Sequence, residues 1–226
     1  MFMTDANRVV IVGGHGKVAL LAARKLKDAN YAVDSIIRNP EQNDDVRNAG
    51  GNPVVLDIET ASVDELASAF FGASAIVFSA GAGGGNPART HAVDYEAAVR
   101  TMAAAEQVGV KRFIMVSYAN ADTAIHKIDP QSSFYPYAKA KRDADAKLRE
   151  SSLDYTILGP GSLTTEPATG KIVRAEEVDR DGPDDKRVTS RENVAEVIAH
   201  VIKNPVAIRE TVDFYDGDKA IAEVVK

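Results

Sequence analysis

Hydrophobic positions along the 226-residue chain fall into two kinds of segment that alternate with each other. Short runs rich in Val and Ile are typical of strands buried on both faces of a sheet, and they occur at residues 9–12, 32–37, 53–58, 75–79, 112–117 and 154–158. Helical spacing of apolar residues predicts helices at 18–26, 41–49, 62–71, 90–107 and 132–150. This alternation predicts an α/β fold with a doubly wound parallel sheet and right-handed crossovers.

A glycine-rich turn joins the first predicted strand to the first predicted helix. Gly13 permits a tight turn, and the lack of Cβ atoms at Gly14 and Gly16 lets a pyrophosphate approach the backbone. Backbone N–H groups and the positive end of the helix dipole would then face the phosphates. The pattern predicts a dinucleotide-binding loop, and a glycine turn without a ligand is the alternative. We assign to the cofactor Gly13, Gly14, His15, Gly16, Lys17 and Val18.

The residue after the second predicted strand bears on the choice of cofactor. Ligands of doubly wound sheets bind beyond the carboxyl ends of the strands, and an NAD-specific site usually has an acid at this position. Arg38 stands there instead, and its planar guanidinium can pair with a 2′-phosphate. Lys17 could add a second cation. The sequence therefore favours NADP(H) over NAD(H), with a solvated surface arginine as the alternative.

The next two strand ends extend the predicted cofactor site. Asp57 and Ile58 could contact the adenine, although Asp57 is equally suited to capping a helix. Small residues follow the fourth strand and leave room for a ribose and the pyrophosphate, unless they form a flexible loop with no ligand. These residues are Ser79, Ala80 and Gly81.

Three residues further along could carry chemistry. Tyr137 and Lys141 are four residues apart, so a helix would place them on one face. A lysine cation beside a phenol lowers the pKa of the tyrosine, which could then exchange a proton with a carbonyl oxygen as hydride moves. The lysine could also hold the nicotinamide ribose, and Ser117 could hydrogen-bond the carbonyl oxygen. Tyr135 and Lys139 share the spacing, and the pattern alone does not choose between the two pairs.

Composition limits the classes of partner. A hydrophobic content of 45% is enough for one large domain with a substantial core. The net charge of −6 argues against a nucleic-acid partner, because phosphate backbones require clustered cations. The absence of cysteine excludes disulfides, thiolate catalysis and Cys-bound metals.

Apolar runs and metal-binding residue types predict the location of the protein and its ligands. No run of about 18 apolar residues occurs, so we expect no membrane span and a cytoplasmic protein. Four histidines and no carboxylates at ligand spacing predict that the chain holds no metal. We expect a small-molecule substrate, and the chain is compatible with a monomer or a homodimer.

Several segments together resemble a known family, namely residues 13–19, 109–117, 137–142, 153–164 and 189–195. The chain resembles atypical short-chain dehydrogenases/reductases, the NAD(P)-binding kind related to NmrA-like proteins and flavin/biliverdin reductases. The resemblance implies a Rossmann-type fold with NADP(H) and selects Tyr137 and Lys141 as the Tyr–Lys pair. It also implies that Pro160, Gly161 and Ser162 lie near the nicotinamide. Gly159 departs from the family, where an arginine commonly precedes this Pro-Gly pair.

The remaining sequence completes the prediction. Residues 1–226 are expected to form a single NAD(P)-binding domain, with 159–226 contributing a small substrate-side cap and 167–185 a strand and lid. Ser190 is the predicted N-cap of a helix to residue 202, without a capping box because Asn193 stands at the third position. We predict an NAD(P)H-dependent oxidoreductase acting on a small carbonyl, quinone or flavin-like acceptor. The alternative is a non-catalytic NADP(H)-sensing protein that binds a protein partner.

Overall fold

The computed structural model describes residues 7–83, 86–179 and 186–226. A nine-stranded sheet forms its centre, in the order β11-β8-β10-β6-β5-β4-β1-β2-β3. The strands are β1 (Arg8–Val12), β2 (Ala32–Ile37), β3 (Asn52–Val55), β4 (Ala75–Phe78), β5 (Arg112–Val116), β6 (Asp154–Pro160), β8 (Lys171–Arg174), β10 (Glu210–Asp216) and β11 (Lys219–Ala220). A second sheet pairs β7 (Ser162–Thr164) with β9 (Val188–Ser190).

The predicted parallel, doubly wound sheet is confirmed. Strands β3, β2, β1, β4, β5, β6 and β10 are mutually parallel, and β8 is antiparallel to both β10 and β11. The strand order reverses at β1, whose neighbours are β2 and β4. This reversal opens a crevice beyond the carboxyl ends of β1 and β4, where such sheets bind ligands.

Helices cover both faces of the sheet. They are α1 (Lys17–Asp28), α2 (Asn43–Asn48), α3 (Val63–Phe70), α4 (Pro87–Thr90), α5 (Ala98–Gln107), α6 (Ala121–Ala124), α7 (Tyr135–Glu150), α8 (Arg191–Lys203) and α9 (Ile221–Val224). One core lies between the sheet and α3, α5 and α7, and the other between the sheet and α1 and α8. Residues such as Val10 and Ile11 point into opposite cores, as alternation along a strand requires.

Two predicted elements differ from the observed ones. The third strand ends at Val55 rather than at residue 58, because the chain turns at Asp57, whose carbonyl accepts the N–H of Ala61 at 2.8 Å. The single helix predicted at 90–107 is interrupted by a π-helix at His91–Ala97. Within it, the buried Asp94 carboxylate accepts the backbone N–H of Ala82 at 3.0 Å. Local widening of a helix often accompanies functional residues.

The C-terminal residues join the same sheet through β8, β10 and β11. Ser190 caps α8 as predicted, accepting the N–H of Glu192 at 3.2 Å. Asn193 donates instead to Asp216, at 2.7 Å, which ties α8 to β10. The predicted strand in 167–185 corresponds to β8, and the part of the predicted lid at 180–185 lies outside the described residues.

Candidate cofactor and active site

The glycine turn after β1 is shaped by close packing. Gly13 has φ +81°, and a Cβ there would lie 2.6 Å from Ala80 Cα. A Cβ on Gly14 would lie 2.5 Å from Ser35 Cβ, and the Gly14 N–H donates to the Ile36 carbonyl at 2.8 Å. The turn therefore fits only when both positions lack side chains, since the backbone packs directly on β2 and on the loop after β4.

These contacts add a packing role to the glycines predicted to face a pyrophosphate. Gly14 is required by packing on β2, whereas Gly16 lines the cavity described below. The Gly16 N–H donates to the Gly13 carbonyl at 3.0 Å and closes the turn. The backbone N–H groups in the first turn of α1, such as those of Lys17 and Val18, have no acceptor within the helix. They are therefore available to an anion. This turn carries no acidic residue, so a diphosphate fits its charge.

His15 connects the glycine turn to the start of α2 through side-chain contacts. Its Nε2 lies 2.8 Å from Asp45 Oδ2, and its Nδ1 lies 3.1 Å from Gln42 Nε2. These partners fit a ring that donates from Nε2 and accepts at Nδ1. His15 therefore closes one wall of the crevice instead of projecting freely into it.

A cavity of about 290 Å³ lies beyond the ends of β1 to β4. It brings together residues predicted from four separate strand ends, namely Gly13, His15, Gly16, Arg38, Asp57, Ile58, Ser79, Ala80 and Gly81. Asp57 also accepts the N–H of Glu59 at 3.0 Å, so its carboxylate caps the local turn while the residue lines the cavity. The space has the composition of a nucleotide site, with a small-residue wall and a few polar groups.

Arg38 does not stand alone at the edge of this cavity. Its Nη1 lies 3.1 Å from Glu59 Oε1, which also accepts from Arg89 Nε at 2.8 Å. The Arg38 side chain remains 53% exposed. Glu59 and Arg89 were missed by sequence reasoning, because only the fold brings the end of β3 and the start of α4 beside Arg38. Two guanidinium groups thus converge on the Glu59 carboxylate, and Asp57 is the other acidic residue of this cavity wall.

A larger cavity, of about 940 Å³, lies beyond β5 and β6. Ser117 and Tyr137 line it, as do Pro160, Gly161 and Ser162. Aromatic rings and cations contribute much of the remaining wall, and none of the described lining residues is acidic. These rings and cations are Tyr118, Phe134 and Tyr215 with Lys127, Arg187 and Arg191.

Tyr137 has a different electrostatic state from the one predicted. Burial raises the pKa of Tyr137, and the opposing effect of the Lys141 charge is smaller. Our expectation of a lowered pKa was therefore wrong in sign, because desolvation of the phenolate outweighs the neighbouring cation. Its ring packs against Phe134 and Tyr118, with centroids at 5.3 and 5.9 Å. At neutral pH Tyr137 is a hydrogen-bond donor rather than a base.

Lys141 is one of the most buried charged residues described, with 3% of its surface exposed. Its Nζ lies 3.7 Å from Asp94 Oδ1 and 5.8 Å from the centroid of the Phe78 ring. Lys139 instead lies on the surface and pairs with Asp143. The two Tyr–Lys spacings thus differ in environment, and only the pair at 137 and 141 faces the interior.

Ser117 makes an interaction that sequence reasoning missed. Its Oγ donates to Asp145 Oδ2 at 2.5 Å, so the Ser117 hydroxyl links the cavity to a carboxyl group on α7. Burial raises the pKa of Asp145 to about 7. The sequence contained an indication that Asp145 is buried. Asp145 follows Lys141 by four residues and therefore shares the inward face of α7.

The end of β6 explains why glycine stands at position 159, where the family commonly has an arginine. A Cβ on Gly159 would lie 1.9 Å from Asp213 Oδ1, because Asp213 is its direct partner on β10. The Asp213 carboxylate thus fills the space into which a side chain at 159 would extend. Gly161 is equally constrained, since a Cβ there would lie 2.2 Å from the Arg187 carbonyl oxygen.

The described residues contain neither a candidate metal site nor a candidate membrane span. No group of three or more His, Cys, Asp or Glu side chains within ranges 7–83, 86–179 and 186–226 could hold a metal ion. No helix in the described part of the chain has the length and apolar character needed to cross a membrane.

Comparisons with known proteins agree with this geometry. The uncharacterized sugar epimerase YhfK of Bacillus subtilis is 32% identical over 221 residues, covering 97% of this chain and 99% of YhfK. The solved structure of a candidate NAD-dependent epimerase/dehydratase from Bacillus halodurans has a TM-score of 0.85 and 35% identity, covering 96% of this chain and 97% of that one.

A more distant solved structure has the same fold. ChuY, an anaerobillin reductase from Escherichia coli O157:H7, has a TM-score of 0.75 at 22% identity, covering 93% of this chain and 98% of its own. A family model described as NAD(P)H-binding matches residues 13–205. The glycine turn, the crevice at the strand reversal and this match lead to one conclusion: the chain belongs to the NAD(P)H-binding family.

Proposed function

We propose that the protein is an NADPH-dependent oxidoreductase that reduces a planar, anionic carbonyl, quinone or flavin-like acceptor. The observation that carries this proposal is the pair of cavities at one edge of the sheet. The cavity at the strand reversal suits an adenine nucleotide, and the larger one is lined by Ser117 and Tyr137. A dinucleotide lying along the carboxyl ends of the strands would extend from the first cavity into the second.

The preference for NADPH is supported by the charges beside Arg38. Arg38 and Arg89 share the single carboxylate of Glu59. A 2′-phosphate could pair with these two guanidinium groups in bidentate geometry. With NADH, the Glu59 carboxylate would be the acceptor for the ribose 2′-hydroxyl, so the two cofactors would use different members of the same cluster.

The acceptor class is supported by the lining of the larger cavity. Tyr118, Phe134, Tyr137 and Tyr215 offer flat apolar surfaces, which favour stacking with a planar molecule. Lys127, Arg187 and Arg191 bring positive charge without an acidic lining residue among those described. This combination attracts a planar acceptor bearing carboxylate or phosphate groups.

A bound nicotinamide would supply hydride, and the chain's own residues would prepare the acceptor. Tyr137, held protonated by burial, would donate a hydrogen bond to the acceptor oxygen and stabilise the negative charge that develops there. Lys141 lies on the same face of α7 and brings positive charge towards the phenol. The contacts of the Tyr137 ring with Tyr118 and Phe134 would restrict its rotation while it binds the acceptor.

The experiment is a cofactor and acceptor assay on the purified protein. We expect NADPH to bind more tightly than NADH in a fluorescence titration, and NADPH absorbance to fall with at least one quinone, dicarbonyl or flavin. Binding of both NADP⁺ and NADPH without turnover across the panel would contradict the reductase and support the sensing alternative. Interconversion of a nucleotide sugar without net NADPH consumption would contradict it in favour of an epimerase.

A further inference from the structure

A third cavity, of about 280 Å³, lies on the α7 side of β6 and β10 and has no part in the function proposed above. Tyr118 and Asp145 line it, and each has a buried oxygen without a hydrogen-bond partner, Tyr118 Oη and Asp145 Oδ1. Unpartnered buried oxygens are costly, and water entering a polar cavity would satisfy them. The cavity therefore places a water-sized space beside Asp145, a residue that is 1% exposed.

The same carboxyl group reaches the active-site cavity through its other oxygen. Asp145 Oδ2 accepts from Ser117 Oγ at 2.5 Å, and Ser117 lines the 940 Å³ cavity in which Tyr137 stands. Asp145 and Ser117 thus form a polar connection between the two cavities, and Tyr118 lines both cavities as well. Ser117 follows β5 and Asp145 lies on α7, so the connection exists only in the folded chain.

We propose that Asp145 and Ser117 form a proton relay that carries the proton consumed in the reduction from the third cavity to the acceptor. This inference rests on the proposed reductase function. A bound nicotinamide would supply the hydride that bonds to the acceptor. When Asp145 is protonated, its carboxyl hydrogen lies towards Ser117 Oγ across the 2.5 Å contact, and the Ser117 hydroxyl gives its own proton to the acceptor oxygen. The Asp145 carboxyl then gives its proton to Ser117 Oγ, and water in the third cavity reprotonates Asp145. The sum is one hydride and one proton added to the acceptor.

The charges around Asp145 suit a group that gains and loses a proton. On α7, Lys141 and Arg149 favour the carboxylate, whereas burial and Asp122 on α6 favour the neutral acid. Burial is the largest effect and raises the pKa of Asp145 to about 7. The nearby groups on other elements are Tyr118 after β5, Asp94 on the π-helix beside Lys141, and Asp213 on β10 across the third cavity.

Tyr118 and Tyr137 are poorly matched to this task. Burial raises the pKa of Tyr118 to about 12 and raises that of Tyr137 as well. A proton donor works best when its pKa lies near the working pH, and Asp145 meets this condition. In this relay, Tyr137 therefore stabilises the negative charge on the acceptor oxygen, and Asp145 supplies the proton.

The test compares Asp145→Asn with Asp143→Asn, a surface variant two residues earlier on α7. For the wild type, we expect kcat to fall with rising pH above about 7 and to be slower in deuterium oxide. Asp145→Asn should lower kcat by about 10²-fold and remove this pH dependence, with the Kd for NADPH within about twofold of the wild-type value. Asp143→Asn should match the wild type in all three measurements.

Two variants at Ser117 distinguish loss of the relay from misfolding. Ser117→Ala should lower kcat and abolish the pH dependence like Asp145→Asn, whereas Ser117→Thr, which keeps the hydroxyl, should restore a measurable part of both. If the wild type turns over and Asp145→Asn keeps its kcat and pH profile, the relay is wrong and the reductase stands. If the wild type reduces no acceptor, the reductase fails, and the relay fails with it because no proton is consumed.

Discussion

The two halves of the site differ in how they are built. The cofactor half, beyond β1 to β4, is made largely of backbone packed on backbone, with its ionic groups near the surface. The catalytic half, beyond β5 and β6, is made of buried side chains that meet from distant parts of the chain, such as Ser117 and Asp145. Binding a common cofactor requires a fixed backbone shape, whereas moving protons requires groups whose pKa values are changed by burial.

The largest expected effect is in the cofactor half. Gly13→Ala would combine a positive φ with a Cβ 2.6 Å from Ala80 Cα, so we expect a loss of roughly 3 kcal/mol in stability and NADPH affinity lowered beyond detection. Urea denaturation and fluorescence titration measure the two effects. Gly72→Ala is the matched control, because Gly72 has φ +80° but nothing within 4 Å of its Cβ position. Equal losses in the two variants would mean that backbone strain, and not the packed turn, is responsible.

Tyr137→Phe tests the catalytic half. Removing a hydrogen-bond donor aimed at a developing oxyanion should lower kcat by about 10²-fold, with the Kd for NADPH unchanged. Steady-state kinetics and a cofactor titration separate the two quantities. Tyr135→Phe tests the other Tyr–Lys spacing and should leave kcat near the wild-type value. A larger loss for Tyr135→Phe would reverse the assignment of the pair.

Arg38→Ala examines the exposed part of the cofactor half. We expect the Kd for NADPH to rise about tenfold and that for NADH to change little, because only NADPH has a phosphate for the guanidinium. Titration of both cofactors at two salt concentrations measures this. Arg47→Ala, a surface change on α2, serves as the control. A parallel weakening of both cofactors would argue against a role for Arg38 in choosing NADPH.

The smallest effect concerns stability and pH in the catalytic half. The pKa of Asp145 rises from 3.8 to about 7 on folding, so the folded state holds the proton more tightly than the unfolded state. This contribution to the free energy of unfolding is complete below about pH 4 and is lost as the pH rises towards 7. Urea denaturation should show a shallower decline over this window in Asp145→Asn. An unchanged slope would show that Asp145 is ionised in the folded protein throughout.

Asp213 contributes to the same slope, since burial raises its pKa to about 6. Asp213→Asn should therefore remove a further part of the decline between pH 4 and 6. The two variants together separate the stability effect, which both share, from the kinetic effect, which we assign to Asp145 alone.

Much of the cofactor half could be predicted because its information is local. The strand, the glycine turn and the helix at 8–28 are continuous, and the residues just after β2, β3 and β4 converge because parallel strands end at one edge. The tight turn at Gly13 could be predicted and agrees with its φ of +81°, but the packing at Gly14 could not. Gly14 is fixed by Ser35 on another strand, and Glu59 joins Arg38 only through the fold.

In the half beyond β5 and β6, the sequence predicted which residues lie together but not their states of ionisation. Tyr137 and Lys141 follow from helical spacing, yet the direction of the pKa shift of Tyr137 depends on burial, which spacing does not contain. Asp94 and Asp145 were missed because an acid within a helix is ordinarily a surface residue. Their burial results from packing α7 against the π-helix and the sheet.

By itself, the sequence determined the parallel doubly wound sheet, the position of the glycine turn and the inward face of α7. These features depend on the period of apolar residues and on glycine at a turn, which act over a few residues. Only the tertiary structure decided that Ser117 donates to Asp145, that Asp213 fills the space beside Gly159, and that Arg38 shares Glu59 with Arg89. The physical reason is that burial and the charges of distant residues set the energy of a polar group, and both exist only after the chain has folded.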